Sequence, residues 1–124
     1  MIQIKRTIIK EKDLTVFSVH GHFELDQLLN EIDRLYATYF TLHALWDFTN
    51  ARFTTITGSH IEKIITLTRK YVDLRKGGKS AILVARDFSY GMARMYDTRA
   101  KLKNSPVKYR VFRDMNEALE WLEK

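Results

Sequence analysis

A chain of 124 residues without cysteine has room for one hydrophobic core. It cannot form a disulfide, a thiolate zinc site or a thiol nucleophile. Lys and Arg outnumber Asp and Glu by 21 to 15, a formal net charge of +6, which favours an anionic partner without naming one.

Ile2 to Lys10 reads as a first strand, and Asp13 marks a tight turn. Leu14 to His22 reads as a second strand, with Leu14, Val16 and Ser18 alternating against Thr15, Phe17 and Val19. Two such runs across a short turn predict an antiparallel hairpin, with Ile2, Ile4, Ile8 and Val16 as core candidates. Glu24 to Tyr39 is a helix, because Leu25, Leu28, Leu29, Ile32, Leu35, Tyr36 and Tyr39 recur at spacings of three and four. His43 to Phe48 is a short strand whose Ala44-Leu45-Trp46 run does not alternate, the pattern of a strand covered on both faces.

A loop is expected over 49–56. A helix follows from about Gly58 to Leu74, with Ile61, Ile64, Ile65, Thr68 and Val72 as its stripe. Ser59 and Glu62 have capping-box spacing, and Gly77-Gly78 stands where glycines close a helix. Lys79 to Ala85 is a further central strand, and a helix led by Asp87 or Ser89 runs to about Lys103, with Phe88, Met92, Met95, Tyr96 and Leu102 inward. Asn104-Ser105-Pro106, with the chain's one proline, breaks it. Val107 to Phe112 is the last strand. Asp114, with Glu117 three residues on, caps a final helix that buries Met115, Ala118, Leu119 and Leu122. The order β-β-α-β-α-β-α-β-α calls for an α/β fold, with a mainly parallel sheet and an antiparallel first strand. No repeat or linker interrupts it, so residues 1–124 are expected to form one domain.

No run approaches the roughly 20 apolar residues that span a bilayer, so no membrane span is expected. The start, Met1-Ile2-Gln3-Ile4-Lys5-Arg6, carries charges where a secretory leader is apolar, and a cytoplasmic location is expected. The basic runs 75–79 and 99–103 are read as solvated faces. Nucleic acid is disfavoured, because most aromatic residues fall on core-facing helix stripes instead of interleaving with those runs.

The pattern resembles the SpoIIAA-like fold of STAS domains and STAS/SEC14-related proteins, a βα superhelix. The residues that carry the resemblance are Ala81-Ile82-Leu83-Val84-Ala85, Tyr90-Gly91-Met92-Ala93-Arg94-Met95-Tyr96, and Val111-Phe112-Arg113-Asp114 leading into Glu117-Ala118-Leu119-Glu120-Trp121-Leu122. The resemblance implies a regulatory or interaction domain that binds a protein partner and is not an enzyme. In anti-sigma-factor antagonists the loop after the third strand carries a phosphorylatable serine in an Asp-Ser-Ser-Gly-like motif at a helix start. The corresponding stretch here begins at Asp47 and ends Ile56-Thr57-Gly58-Ser59. Asp47 matches an acidic strand end, while Ile56 stands near the place of the aspartate before the phosphosite.

Asp47, Thr57 and Ser59 are therefore the candidate switch and partner loop. A helix N-terminus would stabilise a phosphate on Thr57 or Ser59, and the plainer role of either hydroxyl is N-capping. Asp47 could act as an acid or base at the sheet's C-terminal edge, and its plainer role is to order the following loop. Tyr90, Gly91 and Arg94 form a second candidate, a small-ligand or lipid site in which the helix glycine admits a ligand beside Arg94; close helix–sheet packing is the plainer account. His20-Gly21-His22 sets two imidazoles on one side of a strand without a third ligand nearby, so no metal is expected. The glycine motifs of dinucleotide and phosphate loops are absent from the sequence, and no cofactor is expected. A symmetric homodimer is the base-rate oligomer.

Overall fold

The computed structural model describes residues 3–22, 25–38, 40–52, 63, 66–67, 72–84 and 107–124. Five strands form one sheet in the order β1-β2-β3-β4-β5: β1 Gln3–Ile9, β2 Leu14–His22, β3 His43–Arg52, β4 Lys79–Leu83 and β5 Lys108–Phe112. Strand β1 pairs antiparallel with β2, and every later pair is parallel. Helix α1 (Leu25–Thr38) joins β2 to β3, and helix α2 (Met115–Glu123) follows β5.

The hairpin turn is made by a short 3-10 segment, Lys10–Lys12, ended by Asp13 in the left-handed region at φ 49°. Aspartate tolerates this conformation better than most residues with a Cβ. Pairing then follows from Ile9–Leu14 to Gln3–His20. Strand β2 matches its expected span. Its alternation divides two buried sets instead of a buried and a solvated one: Leu14 on one face, Thr15, Phe17 and Val19 on the other. Ile4 and Ile8 are only half-buried, because β1 is an edge strand with a neighbour on one side only; Val16, on β2, is half-buried as well. Ile2 lies outside the described residues.

One face of the sheet carries Val19, Trp46, Phe48, Ile82 and Val111 against Leu28, Leu29 and Ile32 of α1 and against Leu67. On this face Phe17 stacks on Trp46 with ring centroids 4.1 Å apart, and Trp46 stacks in turn on Phe48 at 6.0 Å. Such stacking adds to the area that the rings bury. The other face carries Leu14, Leu45, Ala81, Leu83 and Phe112 against Met115, Ala118, Leu119, Trp121 and Leu122 of α2. The Asp114 carboxylate accepts from the Glu117 N–H at 3.3 Å and starts α2 at the expected residue. At the other end of that helix, the Lys79 ammonium donates to the carbonyls of Trp121 (3.0 Å) and Lys124 (2.5 Å). It thereby meets acceptors that the end of a helix leaves open.

Strand β3 runs further than its sequence suggests. Thr49 to Arg52, expected as the start of a loop, stay in the sheet by pairing with β2 alone, as His20–Asn50, Gly21–Ala51 and His22–Arg52. Strand β4 ends at Leu83, so this two-stranded ribbon projects past it. Of the expected helix 58–74, Lys63, Thr66 and Leu67 are helical, while Val72–Arg75 form a 3-10 turn. The expected helix running to about Lys103 lies outside the described residues.

Candidate functional site

Asp47 sits where β2 and β3 slip in register. Ser18 pairs with Asp47, but His20 pairs with Asn50, so β3 carries one residue more than β2 over this stretch, a bulge. The Asp47 side chain holds it. One carboxylate oxygen, Oδ1, accepts from the Thr49 N–H at 3.0 Å and from the Thr49 hydroxyl at 2.7 Å. The aspartate thus bonds the backbone two residues on, the loop-ordering role anticipated for it, carried out here inside a strand.

The register sets Asp47 in a row across the sheet: Lys5 opposite Ser18, Ser18 beside Asp47, and Asp47 beside Leu83. Lys5 is exposed, Ser18 and Asp47 are half-buried and Leu83 is buried. The row lies toward the C-terminal ends of the parallel strands, where open α/β sheets bind their ligands. Sequence reading missed Lys5 and Ser18 as neighbours of Asp47. The alternation of β2 shows that Ser18 shares a face with Leu14 and Val16, but only the register brings it to Asp47.

Thr57, Ser59, Tyr90, Gly91 and Arg94 lie outside the described residues. His20 is exposed and His22 half-buried on the projecting ribbon, with Gly21 between them at φ 96°. Among the described residues no group of three His, Asp or Glu side chains is placed to hold a metal ion.

A second polar cluster lies at the opposite end, where β3 and β4 begin. The His43 N–H donates to the Asp13 carbonyl at 2.9 Å, and the Leu42 N–H donates to the Asp13 carboxylate at 3.2 Å. The Lys79 N–H donates to His43 Nδ1 at 3.0 Å. Arg75 is 5% exposed. Its Nε donates to the Leu42 carbonyl at 3.1 Å, and Nη2 to the Lys79 carbonyl at 3.1 Å and the Ser80 hydroxyl at 2.9 Å. Burial holds the His43 pKa below its ordinary value, the Lys79 and Arg75 charges lower it further, and Asp13 opposes them. The run 75–79, read from sequence as a solvated face, thus contributes a buried guanidinium and a helix-capping ammonium.

With these features in view, the sheet order is informative. Strands in the order 1-2-3-4-5, an antiparallel first pair and a helix packed across the last parallel strands reproduce the architecture expected from the sequence. No family model matches the chain, and no curated protein matches it. Solved structures do. An anti-sigma factor antagonist from Mycobacterium paratuberculosis superposes with a TM-score of 0.70 at 12% identity, over 100% of this chain and 96% of that one. A DUF3478-family protein with a SpoIIAA-like fold from Shewanella loihica PV-4 superposes with a TM-score of 0.60 at 18% identity, over 98% and 93%. The chain has the SpoIIAA-like fold. Matching over nearly the full length of both proteins, at identities this low, speaks to the SpoIIAA-like fold and not to function. No described helix is long and apolar enough to cross a membrane.

Proposed function

We propose that this chain is a single SpoIIAA-like regulatory domain, not an enzyme, which binds a protein partner in the cytoplasm. The end of the sheet at Asp47, with the segment beyond Arg52, is the partner surface. The observation that carries this reading is the bulge locked by Asp47 and Thr49. It fixes the end of β3, the last described stretch before Thr57 and Ser59 in the chain, in a fold that an anti-sigma factor antagonist shares over 96% of its length. Phosphorylation of Thr57 or Ser59 is the proposed switch: a dianion on that segment changes the charge that it offers a partner. Among the described residues, no second titratable group converges on the Asp47 carboxylate, which is bonded to its own strand, as acid–base chemistry would require.

The test is affinity capture from the native host with the tagged wild type and with Asp47→Ala, alongside intact-mass measurement of the captured bait. A partner retained by the wild type and lost by the folded variant supports the reading, as does a mass increment of one phosphate that Thr57→Ala or Ser59→Ala removes. Equal retention of every captured protein by both baits overturns the assigned surface. A non-covalent small molecule carried through purification, seen by native mass spectrometry, turns the reading to ligand or lipid binding instead.

A further inference from the structure

We propose that His43, with Lys79 and Arg75, forms a proton-operated clasp between the starts of β3 and β4 that controls how firmly the last turn of α2 is held. The geometry supplies the mechanism. Lys79 begins β4, and its N–H donates to the imidazole Nδ1 of His43, one residue ahead of the first ladder pair, Ala44–Ser80. This bond requires an unprotonated Nδ1. Adding a proton there sets N–H against N–H and removes the acceptor. It also makes the ring a third cation beside Lys79 and Arg75.

The charged groups around the ring are fixed by the surrounding elements. Asp13 faces it from the hairpin turn, Arg75 from the 3-10 turn and Lys79 from β4. The Asp13 carboxylate is engaged with the Leu42 N–H. Lys12, on the same turn, is paired with Glu123 of α2 at 2.6 Å. The ring is half-buried, and its lowered proton affinity keeps the clasp closed near neutral pH.

Opening reaches α2 because Lys79 serves both elements. Its backbone is held by His43, and its ammonium by the carbonyls of Trp121 and Lys124, lying 5.5 Å from the Trp121 ring centroid. Arg75 keeps the Lys79 carbonyl and Ser80 tied down. Protonation therefore frees the Lys79 amide and loosens the end of α2 while the sheet interior stays paired. The clasp is at the end of the sheet opposite Asp47 and does not depend on the partner surface assigned there.

The test is residue-resolved amide exchange by NMR at about pH 7.5 and at a pH below the midpoint that the His43 imidazole nitrogen shifts themselves show, normalised for intrinsic exchange, on the full chain and on His43→Asn, whose Oδ1 accepts but does not titrate. The expected result in the wild type is that Lys79 protection falls about tenfold at the lower pH relative to Leu83, the scale of one lost hydrogen bond, with Lys124 falling in parallel. His43→Asn is expected to keep one ratio at both pH values. An unchanged Lys79-to-Leu83 ratio in the wild type overturns the proposal, as does the same fall in His43→Asn. The wild type also provides a reading that needs no variant. The imidazole nitrogen shifts must titrate with the same midpoint as the Lys79 amide, and separate midpoints overturn the clasp.

Discussion

Gly78 packs directly against the Leu42 carbonyl: a Cβ on Gly78 would overlap that oxygen and sit 2.9 Å from the carbonyl oxygen of Arg75. Its neighbour Gly77 is the opposite case, at φ 87° with open space around the missing Cβ. The two glycines of one turn are therefore required for different reasons, close approach and backbone conformation. Gly77→Ala is expected to cost about 1–2 kcal/mol, the scale of left-handed strain. Gly78→Ala must displace backbone that also carries the Lys108 N–H bond to the Gly78 carbonyl, at 3.1 Å. It is expected to cost about 1–3 kcal/mol and the more of the two. Urea denaturation of both variants orders them; a smaller loss for Gly78→Ala refutes the packing account.

The bulge at Asp47 makes a second prediction. Asp47→Asn keeps an oxygen at the Oδ1 position, so it is expected to lose less than about 1 kcal/mol. Asp47→Ala leaves the Thr49 N–H and hydroxyl without their acceptor and is expected to lose about 1–3 kcal/mol. Combining Asp47→Ala with Thr49→Val in a double-mutant cycle isolates the coupling, expected at about 0.5–1.5 kcal/mol. Strict additivity would mean that the hydroxyl bond to the carboxylate does not help to hold the bulge.

Stability should also follow His43. Its folded-state pKa lies below the unfolded value of about 6.5. Between those two values the unfolded chain binds more protons than the folded one, so stability rises with pH across that interval. The contribution is complete above about pH 6.5 and is lost as pH falls through the folded value. Denaturation midpoints measured at steps between about pH 5 and about pH 7.5 should rise for the wild type and lose His43's share of that rise in His43→Asn. A wild-type midpoint independent of pH over this range contradicts the sign.

The strands, the terminal helix and the sheet's polarity were legible because each is written in local periodicity: the alternation of β2, the unalternating Ala44-Leu45-Trp46, and the Asp114 and Glu117 signal ahead of Met115. What was not legible depends on register. Thr49 to Arg52 look like loop, with an aspartate just ahead and an asparagine among them, and they are strand because β2 continues to His22 and gives them a partner. Lys5, Ser18 and Asp47 are far apart in sequence and share a row only through pairing offsets. Arg75 and Lys79 carried the opposite signal: basic residues beside two glycines are usually solvated, and nothing local shows that Leu42, Ser80 and Trp121 supply their acceptors.

Arg75 gives the largest expected effect. Its guanidinium is buried and spans three acceptors on two strand starts, namely the Leu42 carbonyl, the Lys79 carbonyl and the Ser80 hydroxyl. Arg75→Met preserves the aliphatic stem but takes the donor away from those acceptors. It is expected to destabilise by about 3 kcal/mol or more. Arg75→Lys restores the charge but not the planar fork, so it is expected to recover only part of the loss. Arg75→Met also removes a cation from beside His43, which raises the proton affinity of its ring. Arg75→Lys is therefore the sharper probe, because it keeps a charge nearby while breaking the bridge: its melting temperature should fall well below that of the wild type, and the His43 titration midpoint should move less than in Arg75→Met. A melting temperature equal to the wild type's in Arg75→Lys would show that charge alone, and not the three-way bridge, holds the starts of β3 and β4 together.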